Sequence, residues 1–197
     1  MASTRWLSGL HRSRGAKSVR PFAWPITLVV VAAGCSSKPA APMLTDSPVY
    51  RNAAEGFRFL VPEGWTQTAS SALPTGDIQG EIFLVRYRIK SLEMGSNLQI
   101  ICMADGPYMD LQQYHSGSSF RVNLWDVVEP RTTVDVNGIQ ADRMIYKALV
   151  DKREMTKHVT CFRRNGRVYS MVGLYFSGDD EARLQIERAA SSVIWED

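Results

Sequence analysis

Two Asn-Gly pairs, each flanked by long alternating apolar runs, constrain the fold of this chain more than any other feature. Asn137-Gly138 separates Val127 to Val136 from Ile139 to Val150, and Asn165-Gly166 separates Met155 to Arg164 from Arg167 to Phe176. A two-residue hairpin of type I′ needs positive φ at both central residues, which Asn and Gly tolerate, so each pair predicts antiparallel strands folded back on each other. Upstream, Glu81 to Lys90 alternates Phe83, Val85, Tyr87 and Ile89 with Arg86, Arg88 and Lys90, the spacing of a half-buried strand. Asn97 to Ala104 carries apolar side chains on both sides of the pleat and predicts a central strand. Phe57 to Val61 predicts a short strand closed by Pro62-Glu63-Gly64.

Helices are fewer. Asp105-Gly106-Pro107 predicts a helix start, with Leu111, Tyr114 and Ser118 on the inner face. Ser177 is expected to cap a closing helix whose first turn holds Asp179, Asp180 and Glu181, charges that suit the positive end of the helix dipole. Ala182, Ile186, Ala189 and Val193 follow at helical spacing. The expected fold class is therefore α+β, with a mainly antiparallel sheet.

The amino terminus has a different character. Residues 1–20 are rich in Arg, Lys and Ser and contain no acid, and they lead into the uncharged run Phe22 to Gly34. A membrane-spanning helix needs about 20 consecutive apolar residues. This run is shorter, contains Pro25 and ends on small residues, which is the order of an export signal. The basic leader also accounts for the net charge of +3. Five of the 23 basic residues precede Cys35, leaving 18 against 20 acidic ones. The remainder is slightly acidic, and no basic footprint for nucleic acid is expected.

Val31-Ala32-Ala33-Gly34-Cys35-Ser36-Ser37 resembles the lipobox of bacterial lipoproteins. The resemblance implies a diacylglyceryl group on the Cys35 thiol, cleavage between Gly34 and Cys35, and lipid as the membrane contact. Ser36 rather than Asp after that cysteine implies outer-membrane sorting, facing the periplasm in a two-membrane cell. From Cys35 to Pro48 the chain has three prolines and no apolar period, which reads as a tether reaching up to about 40 Å. The expected organisation is a signal peptide over 1–34, a lipidated cysteine and tether over 35–48, and one folded domain over 49–197.

Gly56-Phe57-Arg58-Phe59-Leu60-Val61-Pro62-Glu63-Gly64-Trp65 resembles the opening strand, Pro, Gly, Trp element of the PsbP-like superfamily, to which the Ran-binding Mog proteins also belong. The two Asn-Gly hairpins and the closing helix that ends Ser191-Ser192-Val193-Ile194-Trp195 come in the order that family uses. The resemblance implies an α-β-α sandwich around an antiparallel sheet, and a binding or assembly factor that docks onto larger complexes. A fold hosts many functions, so no particular partner is carried over.

Motifs for chemistry are scarce. The sequence has no Gly-x-Ser-x-Gly elbow, phosphate loop, Cys-x-x-Cys pair or His-Glu-x-x-His helix. His115 and His158 are the only histidines after Cys35, fewer than a metal site needs, and are expected to be packing or surface residues. Asp105 with Asp110, and Asp179 with Asp180 and Glu181, read as helix caps rather than acid-base pairs. Trp65, Trp125 and Trp195 are candidates for lining a ligand groove, with core packing as the alternative. Cys102 and Cys161 are expected to be buried free thiols rather than a disulfide. Neither a cofactor nor a metal is expected. The expected function is a lipid-anchored, non-catalytic envelope module that binds or assembles a protein complex. The alternative is a small-molecule-binding protein or weak hydrolase with a pocket between sheet and helix.

Overall fold

Three two-residue hairpins lay down most of the main sheet in the computed structural model, which describes residues 48–73, 78–91 and 95–196. Strands β6 (Asp126–Val136), β7 (Ile139–Val150), β8 (Arg153–Arg164) and β9 (Arg167–Phe176) follow one another through Asn137-Gly138, Asp151-Lys152 and Asn165-Gly166. All six turn residues have positive φ, between 50° and 85°. The register closes tightly, with Val136 opposite Ile139, Val150 opposite Arg153 and Arg164 opposite Arg167. The Asp-Lys turn carries no Gly, so the sequence reading left it unmarked.

Earlier strands are β1 (Val49–Asn52), β2 (Phe57–Leu60), β3 (Thr66–Ser70), β4 (Ile82–Arg88) and β5 (Asn97–Ala104). The main sheet is antiparallel throughout, with seven strands in the order β3-β4-β5-β9-β8-β7-β6. As expected, β5 is interior and buried on both faces. A second sheet of β1, β2 and the terminal β10 (Ile194–Trp195) is small.

The main sheet is covered on both faces by different material. On one lie the small sheet and helix α2 (Asp180–Ser191), packing Phe57, Phe59, Leu98, Ile100 and Ile186 into one core. On the other lie helix α1 (Leu111–Ser116) and the segment after it, packing Leu111, Trp125, Met144, Tyr146 and Val172 into a second. The fold is thus α+β, helix and small sheet on one face and helix on the other. No helix among the described residues is long and apolar enough to cross a membrane.

Two helix starts differ from the sequence reading. Helix α1 begins at Leu111, because the Asp110 carboxylate accepts from the Gln112 and Gln113 amides at 2.9 and 3.1 Å. Residues 105–109 form a turn, closed by the Met109 amide on the Gly106 carbonyl, so Pro107 is not the first helical residue. The inner face of α1 is Leu111 and His115, while Tyr114 is exposed and Ser118 lies beyond the helix. Helix α2 is capped by Asp179, whose Oδ1 accepts from the Ala182 amide. Ser177 instead shares a hydrogen bond with Thr156.

Helix α2 approaches the sheet at Gly173, where a Cβ would lie 2.5 Å from Ile186 Cγ2. Opposite Gly173 on β8 is His158, only 2% exposed, with neither ring nitrogen hydrogen-bonded. Burial holds this imidazole down to about 4, with Glu187 opposing and Arg143 and Arg183 adding to the shift. An unfolded chain titrates its histidines near 6.5, so between pH 6.5 and 4 the unfolded state binds more protons and stability falls with falling pH. At pH 5 this ring costs about 2 kcal/mol relative to neutral pH. Urea unfolding of wild type and His158→Leu at pH 7 and pH 5 is expected to show that much less acid loss in the variant. At pH 7 the variant should be no less stable, since it removes polar atoms that have no partner.

Candidate functional site

The face under α1 is built around Lys157. Its side chain leaves the middle of β8 toward α1 and is 2% exposed. The ammonium donates to the His115 carbonyl at the end of α1 and to Ser119 Oγ at 3.1 Å. It also lies 4.5 Å from the Trp125 ring centroid and 5.2 Å from that of Tyr146. Burial alone lowers it to about 7. The same neighbours are tied in turn: Trp125 Nε1 donates to Ser119 Oγ at 3.0 Å within the segment after α1, and the Tyr146 hydroxyl on β7 donates to the Gln112 carbonyl of α1 at 3.1 Å.

Beside Lys157 is a neutral polar triangle. His115 Nε2 is 3.1 Å from Ser170 Oγ and 3.5 Å from Cys161 Sγ, and the thiol is 3.2 Å from the same hydroxyl. The residue types are those of a nucleophile and base, but the electrostatics run the other way. Burial pushes the Cys161 thiol up to about 12 and the His115 imidazole down to about 3, the latter with help from Lys157. Activation of a thiol requires a depressed pKa. The triangle therefore satisfies buried polar groups, with the thiol and the imidazole both held un-ionised at neutral pH.

A cleft of about 430 Å³ opens between this cluster and β4-β5. Its polar lining includes Arg86, Gln99, Lys157 and Glu81 together with His115 and residues 118–119, and its apolar lining Phe83, Ile101, Val172 and Phe120. Arg86 donates Nη2 to Gln99 Oε1 at 2.9 Å and lies over the Phe83 ring at 5.1 Å. Glu81 is engaged by the Tyr114 hydroxyl. Arg86 and Phe120 also line a neighbouring cleft of about 490 Å³ that contains Arg88 and Lys90.

The wall shared by the two clefts is held in an unfavourable backbone conformation. Ser119 and Val122 exchange both backbone hydrogen bonds, at 3.0 and 2.9 Å, around Phe120 and Arg121, whose φ values are 55° and 66°. This is the positive-φ geometry that Asn-Gly supplies twice elsewhere in the chain, carried here by two bulky residues that disfavour it. No periodicity or turn signal in the sequence marks it.

The structure does not bring the sequence-selected residues together. Trp65 and Trp195 pack on the α2 face, where Trp65 Nε1 donates to Gln185 and Trp195 stacks 5.1 Å from Phe57 and 5.0 Å from Tyr169. Trp125 lies on the α1 face, so the sheet separates it from the other two. Cys102 and Cys161 are free and buried. They stand on β5 and β8 with β9 between, two strand spacings or about 10 Å apart, beyond disulfide reach. Among the described residues no group of three His, Cys, Asp or Glu side chains is placed to hold a metal. Gly34 and Cys35 lie outside the described residues.

No family model matches the chain, and no curated protein matches it. Solved structures do. Cyanobacterial PsbP (CyanoP) from Synechocystis sp. PCC 6803 is similar with a TM-score of 0.54 at 17% identity, over 76% of this chain and 92% of that one. A protein from Bacteroides thetaiotaomicron gives 0.48 at 9% identity, over 77% and 49% of the two chains. LpqN of Mycobacterium tuberculosis, involved in cell envelope biogenesis, gives 0.41 at 10% identity, over 77% and 86%. The first of these establishes a PsbP-like fold.

Exchanging a bulky residue for glycine at a positive-φ position relieves about 1–2 kcal/mol of backbone strain, against about 0.5–1 kcal/mol of added chain entropy when unfolded. Arg121 is exposed, so little packing is lost. Arg121→Gly is expected to stabilise the protein by about 0.5–1 kcal/mol in chemical denaturation. A destabilised variant would mean that the turn is not strained.

Proposed function

We propose that this chain is a lipid-anchored, non-catalytic module of the cell envelope that works by binding and helps assemble or stabilise a protein complex. A lipid on Cys35 holds it to the membrane, with the outer membrane facing the periplasm as its site. The segment from 35 to 48 sets the folded body away from the bilayer.

One observation carries the binding role. The cleft beneath α1 is lined by the exposed Arg86 and by apolar groups, one of them Phe120 in a strained turn, while the adjacent cysteine and histidine are held un-ionised. Strain retained beside a cleft supports a role for the Phe120 side chain, which lines it. Protonated thiol and neutral imidazole favour recognition over covalent turnover. The PsbP-like fold is compatible with this reading without selecting it.

Growth with labelled palmitate is expected to label the wild-type chain and not Cys35→Ala; an unlabelled wild type would remove the anchor. A photoreactive residue at Ser118, on the rim of the cleft, should give a discrete adduct in native membranes. The same residue at Leu184, on the exposed side of α2, should not. Adducts at both positions alike, or at neither, would contradict a binding role for the cleft.

A further inference from the structure

The geometry points to a single carboxylate carried on an apolar body as the group that the α1-side cleft recognises, held by Arg86 and Gln99 against a floor of Phe83, Ile101 and Val172. This rests on the binding role proposed above and specifies its chemistry. Arg86 is exposed in the cleft and has no ion pair among the described residues. Its single hydrogen bond, to Gln99 Oε1, fixes the plane of the guanidinium and leaves the other donors of the fork unused. A planar fork with adjacent free donors matches a carboxylate in two parallel hydrogen bonds. Because Gln99 presents its oxygen to Arg86, its amide nitrogen is a further donor at the same point.

Charge selects a monoanion. Arg86 and Lys157 bring at most two positive charges to the cleft, and Glu81 returns one negative charge. Lys157 acts mainly through its field, since two of the three donors of its ammonium are taken by His115 and Ser119. A doubly charged group would exceed the net charge of the site and meet Glu81 in its wall. The remaining lining sets the rest of the ligand. Ile101 and Val172 form an apolar floor, and the Phe120 ring, braced edge-on against Trp125 at 6.4 Å, stands beside it. A ring or short branched chain next to the carboxylate fills this space. Both a small organic acid and the C-terminal residue of a polypeptide carry that chemistry.

The test is equilibrium binding to the full mature protein in zwitterionic nanodiscs. The probes are N-acetylphenylalanine, its neutral amide, 4-phenylbutyrate and inorganic phosphate. N-acetylphenylalanine is expected to bind at least about tenfold more tightly than its amide, with affinity falling as salt rises. Arg86→Gln should abolish that difference and Arg86→Lys restore part of it, while Arg188→Gln on the opposite face leaves it intact. Preference for N-acetylphenylalanine over 4-phenylbutyrate assigns a polypeptide terminus, and the reverse a small acid; either supports the inference. Equal binding of acid and amide, tighter binding of phosphate, or no binding of any probe would overturn it. If the carboxylate fails while the adduct at position 118 persists, the ligand class is wrong and the binding role stands.

Discussion

A buried lysine, Lys157, holds together the α1 side of this molecule. Helix α1 has six residues, too few to persist without tertiary support. The segment that follows has little regular structure, yet both cover one face of a seven-stranded sheet. Lys157 joins them to it, reaching from β8 to the last turn of α1 and the start of the 119–122 hairpin, between two aromatic rings. Burying that charge is costly. The cost shows in the fall of its titration to about 7, and two acceptors and two ring faces offset part of it.

The two faces of the sheet consequently do different work. Beneath α2 an aromatic and aliphatic core is bordered by buried polar side chains such as Thr156, His158 and Asp179, with Gly173 letting the helix settle close to the sheet. That side has the properties of a stabilising core. Beneath α1 the same strands present Gln99, Lys157, Cys161 and Ser170, a polar row joined by hydrogen bonds to α1, the segment after it and β4. Adjacent residues on β8 illustrate the division: Lys157 turns to the cleft and His158 to the underside of α2.

Much of the fold was legible because turn chemistry and strand alternation agree. Asn137-Gly138 and Asn165-Gly166 located four strands to within one or two residues. Asp151-Lys152 adopts the same turn without glycine and gave no comparable signal. Strand β3 is exposed at every position and so has no apolar period to detect. The helices start later than the signals at Asp105-Gly106-Pro107 and Ser177 because Asp110 and Asp179 supply the caps, a contest decided by side-chain geometry.

The site was less legible for a physical reason. Strands covered on both faces lose their alternation, and Thr156 to Cys161 reads as an uninformative mixture when every side chain is buried. The sheet face on which Lys157 and Cys161 lie emerges only from the pairing of β8 with β7 and β9. Conversely, the three tryptophans stand out in sequence, but the sheet runs between them. Phe120-Arg121 resembles no turn sequence, since its conformation is imposed by the hydrogen bonds around it.

The Lys157 ammonium holds the 115–125 segment against the sheet and thereby forms the cleft. Amide hydrogen exchange in wild type and Lys157→Met tests it directly, because the Val122 and Trp125 amides are bonded within that segment, to Ser119 and Ser116. The account predicts exchange at least about tenfold faster across 115–125 in the variant, with β5 and β9 unchanged. Equal protection of the segment in both proteins would contradict it.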